Sequence, residues 1–257
     1  MTIHHPIIFC ACIIISNFIE IALDSELSKI VVASKTINWI CKIYLIRDEL
    51  IALINLGNSN IQSVVNVLDH FSIKYIKTDS VDDVKKCDRI ILPGVGGFGS
   101  GVSRLKELKL FDVLKEEVEN NNKPILGICL GMQLLFENSE ESSEAQGLGL
   151  IKGKVVSLPL SQNYKIPRIG WAESNLNFDF LGLKKNQNID FYYIHSYYAI
   201  PDDLSIVAID TDTQLTSAVK YKNIYGCQFH PEKSHINGLN IISAFAKLDS
   251  NQIWEKD

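Results

Sequence analysis

Apolar runs alternate with helical patterns between residue 50 and about residue 147. Nearly continuous apolar stretches at LIALINL, IKYIKT, DRIILPG and KPILGIC predict short strands that are buried on both faces. Between the first two, Ile61, Val64, Val65 and Leu68 recur at the spacing of a helix. This alternation of strand and helix predicts a mainly parallel sheet with helices packed on its faces.

Three further helices are expected in this half of the chain. The pattern predicts them at residues 81–86, around residues 105–118 with a break near Lys109, and at residues 130–137. Ligands of parallel sheets lie beyond the carboxyl ends of the strands. The loop PGVGGFGSG and Cys129 both follow such strand ends.

Shorter strands replace this pattern after residue 147. They are expected at GKVVSL, KIPRIGW, IDFYYIHSYYA, SIVAID, TSAVKY and IYGCQF, followed by a final helix over about residues 238–248. The chain has no internal repeat and no linker-like stretch. We therefore expect one α/β domain over residues 50–250, whose C-terminal half adds an antiparallel section to the central sheet, and a tail over residues 251–257.

The first 49 residues differ from the rest in their apolar character. In HPIIFCACIIISNFIEIAL the first acid, Glu20, comes too early for a membrane-spanning run of about 20 residues. No Lys or Arg precedes the run and no clear cleavage site follows it, which does not fit a signal peptide. A peripheral helix or a swapped element is one interpretation of residues 1–49. The hypothesis we favour is an extension produced by a mis-assigned start, with the native protein beginning at Leu50.

Composition excludes several classes of function. Apolar residues make up 46% and charged residues 21% of the chain, and the net charge of −5 leaves no broad basic surface for nucleic acid. The six cysteines include no CxxC pair and no spacing with histidine that is typical of a metal site. We expect reduced thiols in a cytoplasmic protein, with neither a metal nor a membrane-spanning segment.

The stretch PILGICLGMQLLFE places Cys129 between two glycines, where a strand is followed by a helix. A turn this tight leaves no room for side chains two positions away on either side, which explains Gly127 and Gly131. Such a turn lifts a nucleophile out of the sheet and directs the N–H of Leu130 at an oxyanion. The alternative is a buried core cysteine beside two unrelated glycines.

A nucleophilic cysteine needs a base, and His230 is the best placed of the six histidines. It ends the apolar strand in GCQFHPEKS, and Glu232 follows across a proline that fixes the backbone. A carboxylate in that position orients the imidazole and holds its tautomer. On its own, an HPE triplet is more often part of a loop.

The loop PGVGGFGSG resembles a phosphate-binding loop but lacks the Lys-Ser/Thr pair, and it follows the third strand instead of the first. We expect it to offer a backbone N–H to an oxyanion near Val95, Gly96 and Gly97. The peptide would have to rotate first, and glycines make such rotation cheap.

These motifs together resemble a known family. PGVGGFG, PILGICLGMQLLFE, GLGLIKGKVV, KIPRIGW, YYIHSYY and GCQFHPEKS, in this order, are similar to the glutaminase subunits of imidazole glycerol phosphate synthase. The turn around Cys129, called the nucleophile elbow, and the HPE triplet occur in all class I (triad) glutamine amidotransferases. The residues GMQ after the cysteine and PEKS after the histidine restrict the resemblance to the synthase subunits within that family. The resemblance covers residues 51–245, nearly everything except the extension.

The resemblance implies a flavodoxin-like fold and hydrolysis of glutamine without a cofactor. Cys129 would attack the side-chain amide, His230 would protonate the leaving ammonia, and Glu232 would orient His230. Glutamine would be positioned by Gln133, His195, Ser196 and Tyr197. The ammonia would pass within a heterodimer to a TIM-barrel cyclase, which makes imidazole glycerol phosphate and an aminoimidazole carboxamide ribonucleotide during histidine biosynthesis.

The partner surface is expected to include Arg168, Trp171 and Lys233. The alternative places Trp171 in the core and the two cations on a solvated surface. Arg168 and Ala172 stand where the family usually has His and Asn. These departures keep open a paralogue that supplies ammonia for amidation of an amino sugar in surface polysaccharide (O-antigen) synthesis. Two further alternatives are a non-catalytic regulatory member of the fold, against which the intact set of Cys129, His230 and Glu232 argues, and a stand-alone cysteine hydrolase, which would need its own substrate pocket.

Overall fold

The computed structural model describes residues 49–57, 61–160, 165–203 and 207–248. The interpretation of residues 1–49 as an extension, apart from Glu49, and that of the tail over residues 251–257 fall outside the described residues. The strands are β1 (Ile51–Ile54), β2 (Tyr75–Thr78), β3 (Arg89–Gly94), β4 (Ile125–Cys129), β5 (Asn138–Ser139), β6 (Ser142–Gln146), β7 (Gly153–Ser157), β8 (Arg168–Asn175), β9 (Asn188–His195), β10 (Tyr197–Pro201), β11 (Val207–Asp210), β12 (Thr216–Tyr221) and β13 (Ile224–Cys227).

The helices of the described residues lie mainly in the first half of the chain. They are α1 (Ile61–His70), α2 (Val81–Lys86), α3 (Phe98–Glu107), α4 (Leu110–Glu119), α5 (Leu130–Gln133) and α6 (His235–Ala246), with a 3-10 turn at Pro231–Lys233. Lys109 separates α3 from α4 in a left-handed conformation with φ of 58°, which confirms the expected break. None of these helices has the length and apolar character needed to cross a bilayer.

The main sheet has the order β2-β1-β3-β4-β13-β12-β11-β8-β9. Strands β2, β1, β3, β4 and β13 are parallel neighbours, and the strands from β13 to β9 pair antiparallel. The expected parallel sheet with an antiparallel C-terminal section is confirmed. One apolar core packs α1 and α6 against one side of the sheet, and a second packs α2, α3 and α4 on the other.

A second sheet, with the order β10-β7-β5-β6, was not expected. The stretch IDFYYIHSYYA, predicted as one strand, divides at Ser196 into β9 of the main sheet and β10 of the second sheet. On one side of this division His195 pairs with Arg168, and on the other side Tyr197 pairs with Ser157. The chain therefore changes sheets beside the residues expected to bind glutamine.

The helix predicted over residues 130–137 was too long, because α5 ends at Gln133. The carbonyls of Leu134 and Leu135 accept hydrogen bonds from the N–H groups of Leu148 and Ile151, at 2.8 and 3.0 Å. Backbone groups that would continue the helix are thus used by a distant loop, which turns the chain into β5. The last helix also differs from expectation, since it starts at His235 instead of residue 238.

Candidate active site

The neighbouring parallel strands β3, β4 and β13 have their carboxyl ends side by side in the middle of the main sheet. In the register of the sheet, Gly94 at the end of β3 lies beside Cys129 at the end of β4. On the other side, Cys227 at the end of β13 lies beside Ile128, and the chain continues from there to His230. The topology therefore brings the glycine-rich loop, the cysteine and the histidine to one place.

Cys129 occupies a strained turn between β4 and α5. Its φ of 54° and ψ of −109° lie outside the regions that side-chain-bearing residues prefer, at a cost of about 1–3 kcal/mol. A Cβ on Gly131 would lie 1.7 Å from the carbonyl oxygen of Leu92, and a Cβ on Gly127 would lie 2.6 Å from the carbonyl oxygen of Gly131. The two glycines permit this turn because the backbone of the neighbouring segments leaves no space for a methyl group.

Gly131→Ala is expected to destabilise the fold by about 3 kcal/mol or more, because the added methyl group collides with backbone that has no room to move. Urea unfolding measures the loss. Gly101→Ala is the matched control. Gly101 lies in helix α3, and a Cβ there would meet only the flexible end of the Leu134 side chain, at 3.1 Å. Equal stability of Gly131→Ala and the unsubstituted protein would contradict the tight turn.

His230 and Glu232 form a buried pair after the end of β13, where the 3-10 turn Pro231–Lys233 begins. Nδ1 of His230 lies 2.8 Å from Oε1 of Glu232, and the two side chains are 4% and 3% exposed. Burial by itself lowers the pKa of His230, but hydrogen bonds and Coulomb interactions with Cys129 and Glu232 raise that pKa to about 10. The imidazole is therefore protonated at neutral pH while it faces Cys129.

A cavity of about 240 Å³ opens between these strand ends. Residues predicted from the sequence for catalysis, for the oxyanion, for glutamine binding and for the partner surface all line this cavity. They are Val95, Gly96, Cys129, Leu130, Gln133, His195, Ser196, Tyr197, His230 and Lys233. Gly97 lines a neighbouring cavity of about 860 Å³ instead. Arg168 and Trp171 line a third cavity, of about 920 Å³, which shares Pro167 with the first.

Gln133 is fixed by its amide nitrogen, which donates to the carbonyl oxygen of Tyr197 at 2.9 Å and to Oε1 of Gln228 at 3.1 Å. Both amide hydrogens are used within the protein. The carbonyl oxygen of the side chain is therefore the group that Gln133 can offer to a ligand in the cavity.

His195 differs from His230 in charge. Burial lowers the pKa of His195 to about 4, and the hydrogen bond from its Nδ1 to the carbonyl oxygen of Tyr197, at 2.9 Å, opposes this without reversing it. The ring is neutral at neutral pH, so Nδ1 carries the hydrogen and Nε2 carries a lone pair. Nε2 is buried without a hydrogen-bond partner.

The three residues predicted for a partner surface lie in different environments. Arg168 is 8% exposed and pairs with Asp210, with Nη2 and Oδ2 at 2.7 Å. Trp171 is 47% exposed and stacks on His235, with ring centroids 4.5 Å apart. Nζ of Lys233 lies 5.9 Å from the ring centroid of Tyr192. Lys233 also lines the 240 Å³ cavity that contains Cys129 and His230, which is called the catalytic cavity below.

The sequence-based interpretation missed three residues around the cysteine. The thiol of Cys129 donates to the carbonyl oxygen of Ile194 at 3.6 Å, and Nε2 of Gln228 donates to Sγ at 3.7 Å. Glu141 lines the catalytic cavity. A signal existed for Gln228, an amide between Cys227 and Phe229, whereas Glu141 belongs to an acidic stretch typical of a surface.

Within the described ranges, no group of three or more His, Cys, Asp or Glu side chains is placed to hold a metal ion. The polar side chains that line the cavity carry a thiol, two imidazoles in opposite charge states, an amide, a carboxylate, two hydroxyls and an ammonium group. These groups suit nucleophilic attack on a carbonyl carbon followed by proton transfer to a leaving group.

Comparison with known proteins gives consistent matches over this domain. The model of the family described as "Glutamine amidotransferase class-I" matches residues 52–247. The chain is 45% identical over 204 residues to imidazole glycerol phosphate synthase subunit HisH of Pyrococcus furiosus, covering 77% of this chain and 98% of the relative. It is 36% identical over 213 residues to the HisH subunit of Bacillus subtilis, covering 80% of this chain and 100% of the relative.

Solved structures share the fold at lower identity. A structure described as a glutamine amidotransferase aligns with a TM-score of 0.63 at 15% identity, covering 77% of this chain and 99% of its own. The PurLQS structure from Thermotoga maritima aligns with a TM-score of 0.58 at 20% identity, covering 77% and 97%.

Proposed function

The chain belongs to the class I glutamine amidotransferase family, and on that premise we propose that it is the glutaminase subunit of an imidazole glycerol phosphate synthase. It hydrolyses the side-chain amide of glutamine to glutamate and passes the ammonia to a TIM-barrel cyclase subunit in histidine biosynthesis. The observation that carries the proposal is the meeting of Cys129 with the buried His230–Glu232 pair at one small cavity.

The reaction begins with attack of the Cys129 sulfur on the amide carbon of glutamine. Protonated His230 stabilises the thiolate before attack and then gives its proton to the departing ammonia. Water, deprotonated by the same imidazole, next attacks the thioester carbon and releases glutamate. Glu232 holds Nδ1 throughout, so that Nε2 of His230 is the atom that exchanges protons with the reacting groups.

The oxyanion formed in both steps lies beside the start of α5. The N–H of Leu130 is the first donor there, since Leu130 directly follows Cys129 and begins the helix. The second donor comes from the loop of Val95 and Gly96, which lines the same cavity. Gly96 has a φ of 101°, and without a side chain it can adopt a wide range of backbone conformations, which lowers the cost of rotating this peptide towards the oxyanion.

The rest of the cavity positions glutamine by hydrogen bonds. Gln133 offers its side-chain carbonyl oxygen, because both of its amide hydrogens are already used. Neutral His195 offers an acceptor at Nε2, whose burial without a partner favours an N–H donor of the substrate. The cavity volume of about 240 Å³ suits one amino acid of the size of glutamine.

The partner is proposed to dock over an apolar patch of Ile169, Trp171 and Ile236. Ile169 and Trp171 lie on the same face of β8 and are 60% and 47% exposed, and Ile236 is 59% exposed next to His235, which stacks on Trp171. Pro167 connects this region to the catalytic cavity. Ammonia released at Cys129 would therefore leave beneath the docked cyclase, shielded from solvent.

Arg168 is accounted for inside the subunit. Its ion pair with Asp210 and its position 5.0 Å above the ring of Tyr193 fix it against the strand that carries His195. This role does not depend on which molecule accepts the ammonia. The names of the relatives support the histidine pathway as the destination.

Glutamate release from glutamine tests the proposal. We expect slow hydrolysis by the isolated protein and a rate many times higher with the cyclase subunit and its ligand. Ile169→Asp should weaken the complex about tenfold or more, because a charge replaces an apolar side chain that the docked cyclase would bury, and burying such a side chain contributes about 1.5–3 kcal/mol. Titration with the cyclase, followed by glutamate production, measures the change.

Ile200→Asp is the matched control, since Ile200 is 37% exposed on β10 of the other sheet. Its affinity for the cyclase should equal that of the unsubstituted protein. No glutamate production under any condition would refute the glutaminase function, whereas stimulation that survives Ile169→Asp unchanged would refute the proposed docking patch alone.

A further inference from the structure

A cavity of about 560 Å³, called the amino-end cavity here, opens at the end of the main sheet opposite Cys129. Ile224, the first residue of β13, lines it and pairs with Ile125, the first residue of β4. Cys129 is the last residue of β4 and lines the catalytic cavity at the other end of that strand. Among the described residues, none lines both cavities, so the amino-end cavity is separate from the catalytic site.

The inner wall of the amino-end cavity is apolar. It is formed by side chains that are 6% exposed or less, namely Val118, Leu150, Ile151 and Ile224. Tyr221, which is 38% exposed, adds an aromatic ring. Sites for small molecules have volumes of about 300–1,000 Å³ and are lined mainly by apolar side chains with a few placed polar groups. The volume and the wall of this cavity therefore suit a ligand with an apolar body.

Asn223 supplies a polar group within this apolar wall. Its side chain is 5% exposed, and Nδ2 donates to the carbonyl oxygens of Val118 and Lys123 at 2.9 and 3.0 Å. Both amide hydrogens are thus used inside the protein, and among the described residues no group donates a hydrogen bond to Oδ1. A nearly buried acceptor without a partner favours a ligand that brings an N–H donor.

Charged side chains of both signs surround the apolar wall. The exposed charged residues that line the cavity are Lys152, Lys222, Glu119, Asp202 and Asp203. None of the ion pairs found among the described residues involves Glu119, Lys152 or Asp202. A ligand that carries both an ammonium group and a carboxylate would find a partner of opposite charge for each.

We propose that the amino-end cavity binds a zwitterionic amino acid with a large aromatic side chain whose ring carries an N–H. The ring packs on the apolar wall and donates to Oδ1 of Asn223, while the ammonium and carboxylate groups meet the acids and lysines. An indole suits the site better than an imidazole, because a small polar ring leaves most of the apolar wall without contact. The cavity is also more than twice as large as the one proposed for glutamine.

Binding of L-tryptophan to the full chain, titrated by saturation-transfer NMR, tests the inference. We expect saturable binding with a Kd of about 1 mM or lower. Three analogues each lack one recognised group: benzothienylalanine lacks the ring N–H, tryptamine lacks the carboxylate and 3-indolepropionate lacks the ammonium group. Each should bind about threefold or more weakly than L-tryptophan, because one group of the protein is left without its partner.

Removal of both lysines together, by Lys152→Ala and Lys222→Asn, locates the site. Asparagine is chosen because Lys222 has a φ of 52°, which asparagine tolerates. The double variant should bind L-tryptophan about threefold or more weakly and tryptamine no more weakly than the unsubstituted protein does, since tryptamine has no carboxylate to lose a partner. Lys154→Ala is the matched control, an exposed lysine on β7 outside the cavity, and it should bind both ligands unchanged.

Three results would overturn the inference: no saturable binding of L-tryptophan, equal affinity for benzothienylalanine, or a double variant that binds L-tryptophan as tightly as the unsubstituted protein. Displacement of L-tryptophan by excess L-glutamate would also overturn it, because that result assigns the bound amino acid to the catalytic cavity. Weaker binding of tryptamine by the double variant would make the effect of the lysines a general disturbance. Neither glutamine nor the cyclase is present in these titrations, so failure of the proposed glutaminase function changes none of these outcomes.

Discussion

Cys129→Ala should abolish glutamine-dependent synthesis by the complex and leave ammonia-dependent synthesis intact. The substitution removes the atom that attacks glutamine, and losses on the order of 10⁴-fold or more in kcat are expected when a nucleophile is deleted. The fold should survive, because the hydrogen bonds that join Sγ to the carbonyl oxygen of Ile194 and to Gln228 are long and weak, at 3.6 and 3.7 Å. Glutamate release and product formation from ammonium chloride are the two measurements.

Cys227→Ala provides the matched control for this experiment. Cys227 is fully buried on the adjacent strand β13, and its thiol contacts the carbonyl oxygen of Gly127 at 3.8 Å. Burial raises its pKa well above the usual range, as expected for an unreactive core thiol. Glutaminase activity should persist in this variant. Loss of both activities in Cys129→Ala would instead make Cys129 a structural residue.

The sequence contained most of the information about the parallel half of the fold and the elbow. Buried strands such as Ile51–Ile54 consist of continuous apolar runs. The glycines around Cys129 are needed because the nearest backbone atoms, which lie a few residues away or on the next strand, leave no space for a Cβ. Local patterns of this kind can be read without knowing the rest of the molecule. The pairing of Cys129 with His230 was predicted because a nucleophilic cysteine needs a base. The strand order explains how they meet, since β4 and β13, which lead to the two residues, are neighbours in the sheet.

The second sheet could not be predicted in the same way. It exists because the N–H groups of Leu148 and Ile151 bond to carbonyls that would otherwise extend α5, and because the chain crosses from one sheet to the other at Ser196. These are contacts between distant segments, for which the residues involved show no periodic signal. The same limit explains the extra length given to the predicted helix.

Glu141 and Arg168 show the same limit for side chains. Glu141 is one acid among several in the stretch SEESSE, and its contact with Phe98 depends on where the hairpin of β5 and β6 folds. Arg168 was assigned to a partner surface, and Asp210, which pairs with it, lies 42 positions away. A charged residue carries no local sign of whether a distant opposite charge will meet it inside the fold.

Cys129 and Glu232 together set the charge of His230, and this charge gives the protein a dependence on pH. Burial lowers the pKa of His230, but Cys129 and Glu232 outweigh it and raise that pKa from its ordinary value of 6.5 to about 10. A group whose pKa is raised by folding stabilises the folded state fully below about pH 6.5 and loses that contribution as pH rises through about 10. The unfolding free energy should therefore fall across this window.

Glu232→Gln should lower the pKa of His230 and reduce kcat for glutamine by about 10³-fold, because the amide neither stabilises the imidazolium nor enforces the tautomer. Nitrogen NMR of His230 across pH 6–11 measures the titration, and urea unfolding over the same range should show a shallower fall in stability. Glu117→Gln is the matched control, a buried carboxylate paired with Lys123 at 2.6 Å, and it should lose stability without moving the titration of His230. An unmoved titration in Glu232→Gln would show that Cys129 alone holds His230 protonated, and Glu232 would then be a packing residue.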